Sequence, residues 1–112
     1  MSNTSVRTTI SDEEFEFAAE SLRTSPVPRH FGMELVSLAI DEAVMTIRMR
    51  DDLRQPSGVL HGGVTATLID TAMAFAVRTR LAITEATATI DLTVHYLRPH
   101  LKIGRASCRE RV

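Results

Sequence analysis

The stretch His61-Gly62-Gly63-Val64-Thr65-Ala66-Thr67-Leu68-Ile69-Asp70-Thr71-Ala72-Met73-Ala74-Phe75-Ala76-Val77 constrains how the rest of the chain can fold. Two glycines open it, and small or apolar residues then recur at helical spacing. A helix that is apolar nearly all round belongs in a core, so residues 63–81 are expected to form a central buried helix. Ala66, Ala72, Ala74 and Ala76 would let a sheet approach it closely. Asp70 is the only charged residue among the fourteen from Val64 to Val77. A buried carboxylate is costly unless it is paired or hydrogen-bonded, which makes Asp70 a candidate functional residue. The glycine turn places backbone N–H groups without intrahelical partners at the helix start, where negative charge is favoured. A carboxylate and a cluster of donors are two parts of an acyl-transfer site.

The flanking segments supply a sheet. Residues 33–40 are rich in β-formers, and Asp41-Glu42 is a plausible turn. Residues 43–50 then alternate, with Met45, Ile47 and Met49 on one face. Residues 51–60 form a loop containing Pro56, Ser57 and Gly58. Beyond the central helix, residues 87–97 alternate again: Ile90, Leu92, Val94 and Tyr96 against Thr89, Asp91, Thr93 and His95. Upstream, Ser11 with Glu14 forms a capping box ahead of Phe15, Ala18, Ala19 and Leu22, predicting an amphipathic helix over 12–23 that Ser25-Pro26-Val27-Pro28 ends. Residues 1–10 are polar and expected to be disordered. The order helix, strand, strand, buried helix, strand fits an α+β domain in which an antiparallel sheet wraps one central helix.

Composition narrows the function. At 112 residues there is room for one domain. A net charge of −1 leaves no nucleic-acid footprint. No run is apolar and long enough to span a bilayer, and no signal-type segment precedes the first helix, so a cytoplasmic protein is expected. Cys108 is the only cysteine, which excludes an internal disulfide. It falls in Ile103-Gly104-Arg105-Ala106-Ser107-Cys108-Arg109-Glu110-Arg111-Val112, a decapeptide that a common sequencing adapter yields when translated in frame. Residues 103–112 are therefore expected to be a non-native tail. His30, His95 and His100 lack metal-ligand spacing, so no metal is expected.

Two stretches carry a resemblance: residues 55–77, with Gln55 six positions before His61 and Asp70 nine after it, and residues 87–99, ending in Tyr96-Leu97-Arg98-Pro99. Over about residues 28–102 the chain resembles the hotdog-fold acyl-CoA thioesterases, in the phenylacetate-pathway-like and 4-hydroxybenzoyl-CoA-thioesterase-like branch. The resemblance implies a hotdog domain over 11–102, with two further strands that a chain ending near Lys102 would lack. Such a chain is expected to be poorly soluble. It implies that the Gly62 N–H polarises the thioester carbonyl and that Asp70 is the helix carboxylate. Gln55 corresponds to the upstream amide and Thr89 to the hydroxyl on the following strand. It also implies a homodimer or homotetramer with each site across a dimer interface. One departure stands out: 4-hydroxybenzoyl-type enzymes with a helical Glu often carry Thr one turn later, where this chain has Ala74.

The chemistry these residues could perform is thioester hydrolysis. Asp70 would act as base on water or as nucleophile, and the residues leave that choice open. Gln55 would orient the water or hold the carbonyl. His61 would fix the turn or move a proton. Thr89 would hold the water or Asp70. Gly63 and Arg98 would bind substrate, with Arg78 and Arg80 as further candidates for the coenzyme A phosphates. No cofactor is implied, since coenzyme A is part of the substrate. Two alternatives remain: a hotdog acyl-thioester hydratase or dehydratase, and a non-catalytic acyl-CoA-binding regulatory module.

Overall fold

Ser11 starts the first helix as its spacing predicts. Its hydroxyl accepts from the Glu14 N–H at 3.1 Å, and the Glu14 carboxylate accepts from the Ser11 N–H at 3.0 Å. The resulting helix α1 spans Asp12–Thr24, with three acidic residues in its first turn, where the helix dipole favours them. The structure, a computed structural model, describes residues 8–82, 84–98 and 104–112. Most of the expected disordered N-terminus, residues 1–7, lies outside the described residues. Ala19 and Leu22 bury the inner stripe of α1.

Ser25-Pro26 ends α1, and the same prolines begin a second helix that the alternation of residue types did not predict. Helix α2 spans Pro26–Phe31, with proline in its first turn where a missing N–H costs nothing. It stops at Gly32, whose φ of 68° is the left-handed conformation that glycine adopts without strain.

Strands β1, Met33–Ala39, and β2, Glu42–Arg48, form the expected antiparallel hairpin. The turn falls on Ile40-Asp41, one residue earlier than the sequence suggests, with Asp41 at φ 68°. Register shifts between Leu35 and Ser37, so Val36 is an extra residue, and it is exposed. Strand β3, Arg105–Arg111, pairs antiparallel along the other edge of β2, giving the order β1-β2-β3. The expected foreign origin of residues 103–112 concerns where they come from. In the fold, seven of them supply the third strand.

The central helix α3 spans Gly62–Arg78 and packs across β2 and β3. Ala43, Met45 and Ile47 of β2 are wholly buried against Leu68, Ala72, Phe75 and Ala76 of α3. Burying side chains the size of Met45 or Ile47 stabilises a fold by about 1.5–3 kcal/mol each. Ala72 and Ala76 face the sheet as expected, whereas Ala66 and Ala74 are only half-buried. The helix is core on one side only, because a single sheet lies beneath it. Met73 and Val77 on its outer side remain 39% and 38% exposed.

The expected strand over 87–97 is not one. The segment joins no ladder among the described residues, although β1 and β3 each keep an outer edge that β2 does not occupy. Leu92 and Val94 are still half-buried while Asp91, Thr93 and His95 are exposed, so part of the alternation survives in the packing. Ile90 breaks it, being almost fully exposed. Pro99, at the expected strand end, lies outside the described residues.

Candidate active site

The first turn of an α-helix has backbone donors with no intrahelical acceptor, and in α3 nearly all find one elsewhere. His61 is the N-cap. Its Nδ1 accepts from the Gly63 N–H at 2.9 Å, and its carbonyl accepts from the Val64 and Thr65 N–H groups at 3.0 and 3.2 Å. The Gly62 N–H has no acceptor among the described residues. Because His61 Nδ1 is an acceptor, the proton of the neutral ring sits on Nε2. Here His61 is a cap, holding the turn closed with its own ring.

Gly62 lines an open cleft of about 510 Å³ with Gln55, Val59, Leu60, Gly63, Thr65, Tyr96, Leu97 and Arg98. The loop that carries Gln55 is itself pinned. The Gln55 N–H donates to the Val59 carbonyl at 2.9 Å, the Gly58 N–H donates to the Gln55 carbonyl at 2.8 Å, and Arg54 pairs with Leu60 in a β-bridge. The His61 N–H donates to the Leu53 carbonyl at 2.9 Å, tying the helix entry to the preceding 3-10 turn, Asp51–Leu53. Four expected site residues (Gln55, Gly62, Gly63 and Arg98) thus meet at one cleft, and His61 caps the helix that opens into it.

Asp70 and Thr89 meet elsewhere. The Thr89 hydroxyl lies 2.5 Å from Asp70 Oδ1 and donates to it. Asp70 is half-buried rather than enclosed, because it sits on the flank of α3 away from the sheet. The neighbouring Thr71 hydroxyl turns back to the Thr67 carbonyl at 2.8 Å and does not contact the carboxylate. Eight residues of helix separate Gly62 from Asp70, about 12 Å along the axis at 1.5 Å per residue. One copy of the chain therefore does not bring the donor and the carboxylate to one point.

Of the arginines considered for phosphates, only Arg98 lines the cleft. Arg80 forms two hydrogen bonds of 2.8 Å to Asp41, and Arg78 lies over the Phe75 ring at 4.7 Å, both at the far end of α3. Tyr96 is a cleft residue that sequence reasoning missed. Its hydroxyl donates to the Gly62 carbonyl at 2.7 Å. Alternation placed Tyr96 on an apolar strand face, and a hydroxyl–carbonyl bond across 34 residues leaves no local signal. Burial, then the Glu110 carboxylate, pushes the Cys108 thiol up to about 12, which disfavours a thiolate nucleophile. Among the described residues no group of three or more His, Cys, Asp or Glu could hold a metal ion. No helix among them is long and apolar enough to cross a membrane.

A central helix on an antiparallel sheet, with a glycine turn opening into a cleft, is the architecture of hotdog-fold acyl-thioester enzymes. The thioesterase superfamily model matches residues 57–112, and the chain belongs to that family. It is similar to VNG_1336C of Halobacterium salinarum, an esterase by name, at 57% identity over 44 residues. That match covers 38% of this chain and 29% of the relative, so the chain spans under a third of that curated protein in the match. Among solved structures, thioesterase HI1161 of Haemophilus influenzae is 27% identical with a TM-score of 0.76, over 90% of this chain and 69% of that one. The phenylacetic acid degradation protein PaaI of Thermus thermophilus is 32% identical with a TM-score of 0.62, over 76% of this chain and 70% of that one.

Proposed function

We propose that this chain hydrolyses an acyl-CoA thioester to the free acid and coenzyme A. The observation that carries the proposal is the unspent Gly62 N–H in a cleft shared with the Gln55 amide and the Arg98 guanidinium. In that cleft the thioester carbonyl oxygen accepts from Gly62, so charge developing on it meets a fixed donor at the positive end of α3. A water attacks the carbonyl carbon and gives its proton to the Asp70 carboxylate. The C–S bond then breaks, and the departing thiolate takes a proton to become coenzyme A. Thr89 holds Asp70 Oδ1, which leaves the other carboxylate oxygen for the water. Gln55 orients the water or the carbonyl, and Arg98 meets a phosphate.

The separation of Gly62 from Asp70 gives the reading a second part: the Gly62 cleft of one copy faces the Asp70 of another, in a homodimer or homotetramer. The test is thiol release from short, medium and aryl acyl-CoAs. Asp70→Asn is expected to lose about 10²–10⁴-fold in kcat, the usual worth of a general base. Unchanged turnover in that variant removes Asp70 from the chemistry. Co-expressing Asp70→Asn with Gly62→Pro, each inactive alone, is expected to recover about a quarter of wild-type activity, because statistical dimers hold one intact shared site in half the pairs. Assembled mixed dimers without activity would place both residues in one copy's site. Tight acyl-CoA binding by wild type without thiol release would make the chain a binding module instead.

A further inference from the structure

We infer that Tyr96 is a positioning residue for the Gly62 donor. The inference rests on the thioesterase reading above, and three observations converge on it. The Tyr96 hydroxyl donates to the Gly62 carbonyl at 2.7 Å. Its ring lies against the glycine, with Cζ, Cε1 and the hydroxyl oxygen 3.5–3.6 Å from where a Cβ would stand. That ring also forms part of the cleft wall, together with Leu97 and Arg98. The Gly62 carbonyl belongs to the same peptide group as the Gly63 N–H, which donates to His61 Nδ1. A continuous chain therefore runs from the Tyr96 O–H through the Gly62–Gly63 peptide to the His61 ring.

Hydrogen bonds in series polarise one another and resist rotation of the groups between them. Gly62 and Gly63 are the two residues of the turn with the most backbone freedom. Tyr96 pins one end of their shared peptide and His61 the other. Clamping that unit limits rotation about the Gly62 backbone and holds the preceding N–H in one direction. The tyrosine comes from the segment after α3, so the donor's aim is set by a tertiary contact as well as by the helix.

Tyr96→Phe removes the hydroxyl and keeps the ring. It is expected to lower kcat about five- to tenfold with KM changed less than twofold, the worth of one modest hydrogen bond expressed in the transition state. Tyr96→Leu, which also loses the wall, is expected to raise KM as well. A role in stability alone would lower the melting temperature and leave kcat per folded molecule unchanged, and that result overturns the inference. A second readout needs no activity. In amide NMR spectra of the full chain, Tyr96→Phe is expected to move the Gly63 resonance upfield by more than those of Val64 and Thr65. An unmoved Gly63 amide overturns the inference too. If wild type releases no thiol while the Gly63 amide shifts as expected, the thioesterase reading fails and the clamp stands.

Discussion

The two ends of α3 solve opposite problems. At the C-terminal end a set of polar groups is tied together. The buried Thr79 hydroxyl donates to the Ala76 carbonyl at 2.7 Å and accepts from the Asp41 N–H at 2.9 Å, and Arg80 grips both oxygens of Asp41. That knot fastens the helix to the β1–β2 turn. Val112 adds to it, its N–H donating to the Asp41 carbonyl at 2.8 Å. At the N-terminal end the same helix leaves one backbone donor unspent and opens a cleft over it. Under the proposed function, the contrast separates anchoring from chemistry on one element. One end holds the helix in register, so the other can present a donor without having to hold the fold together.

Breaking the contrast should have its largest effect at Gly62. Proline is tolerated at the first helical position, and His61 at φ −60° and ψ 134° already has the conformation that precedes proline. Gly62→Pro therefore deletes the donor and keeps the helix start, its Cβ meeting the Tyr96 ring at ordinary contact distance. It is expected to cost about 10²–10³-fold in kcat, as for other oxyanion donors, with a nearly unmoved melting temperature by circular dichroism. Thr79→Val should give the reverse. It removes the acceptor of the half-buried Asp41 N–H, a loss of about 1 kcal/mol, so the melting temperature drops by about 4 °C or more while activity per folded molecule holds.

Smaller effects sharpen the same comparison. A Cβ at Gly63 would stand 3.1 and 3.2 Å from His61 Nδ1 and Cε1, so Gly63→Ala should displace the capping ring. A lost N-cap costs about 1 kcal/mol, and faster hydrogen exchange at the residue 63 amide would report it. The hydrogen bond from Arg80 beside Asp41 holds its carboxyl below the usual 3.8. A carboxyl lowered by folding contributes stability that is present above its unfolded value and lost as pH falls through its folded one. Wild type is thus expected to lose a little of its melting temperature below pH 3.8, and Asp41→Asn should flatten that slope.

Much of this was legible in the residues alone. The capping box at Ser11 and Glu14, the alternation through Met45 and Ile47, and the apolar run after Gly63 are local patterns. Each dictates an element through contacts within a few positions, and each element formed. The family resemblance, carried by Gln55, His61-Gly62-Gly63, Asp70 and Tyr96-Leu97-Arg98-Pro99, agrees with the fold and with the superfamily match to residues 57–112. Helix α2 was missed because prolines both end and begin helices, and spacing does not say which. The strand expected over 87–97 failed for a different reason. Alternation shows that a segment could pair, but pairing also needs the segment to lie along a sheet edge, and among the described residues it pairs with neither outer strand.

By itself the sequence determined helices α1 and α3, the β1–β2 hairpin, where the glycine turn lies, and which residue types could do acyl chemistry, because those depend on backbone preference and spacing. Only the tertiary structure decided that the Gly62 N–H stays free, because a donor is known to be unspent only once every acceptor around it is placed. It also decided that Thr89 reaches Asp70 and that Tyr96 grips Gly62. Those are distances across the fold, and no local pattern encodes them.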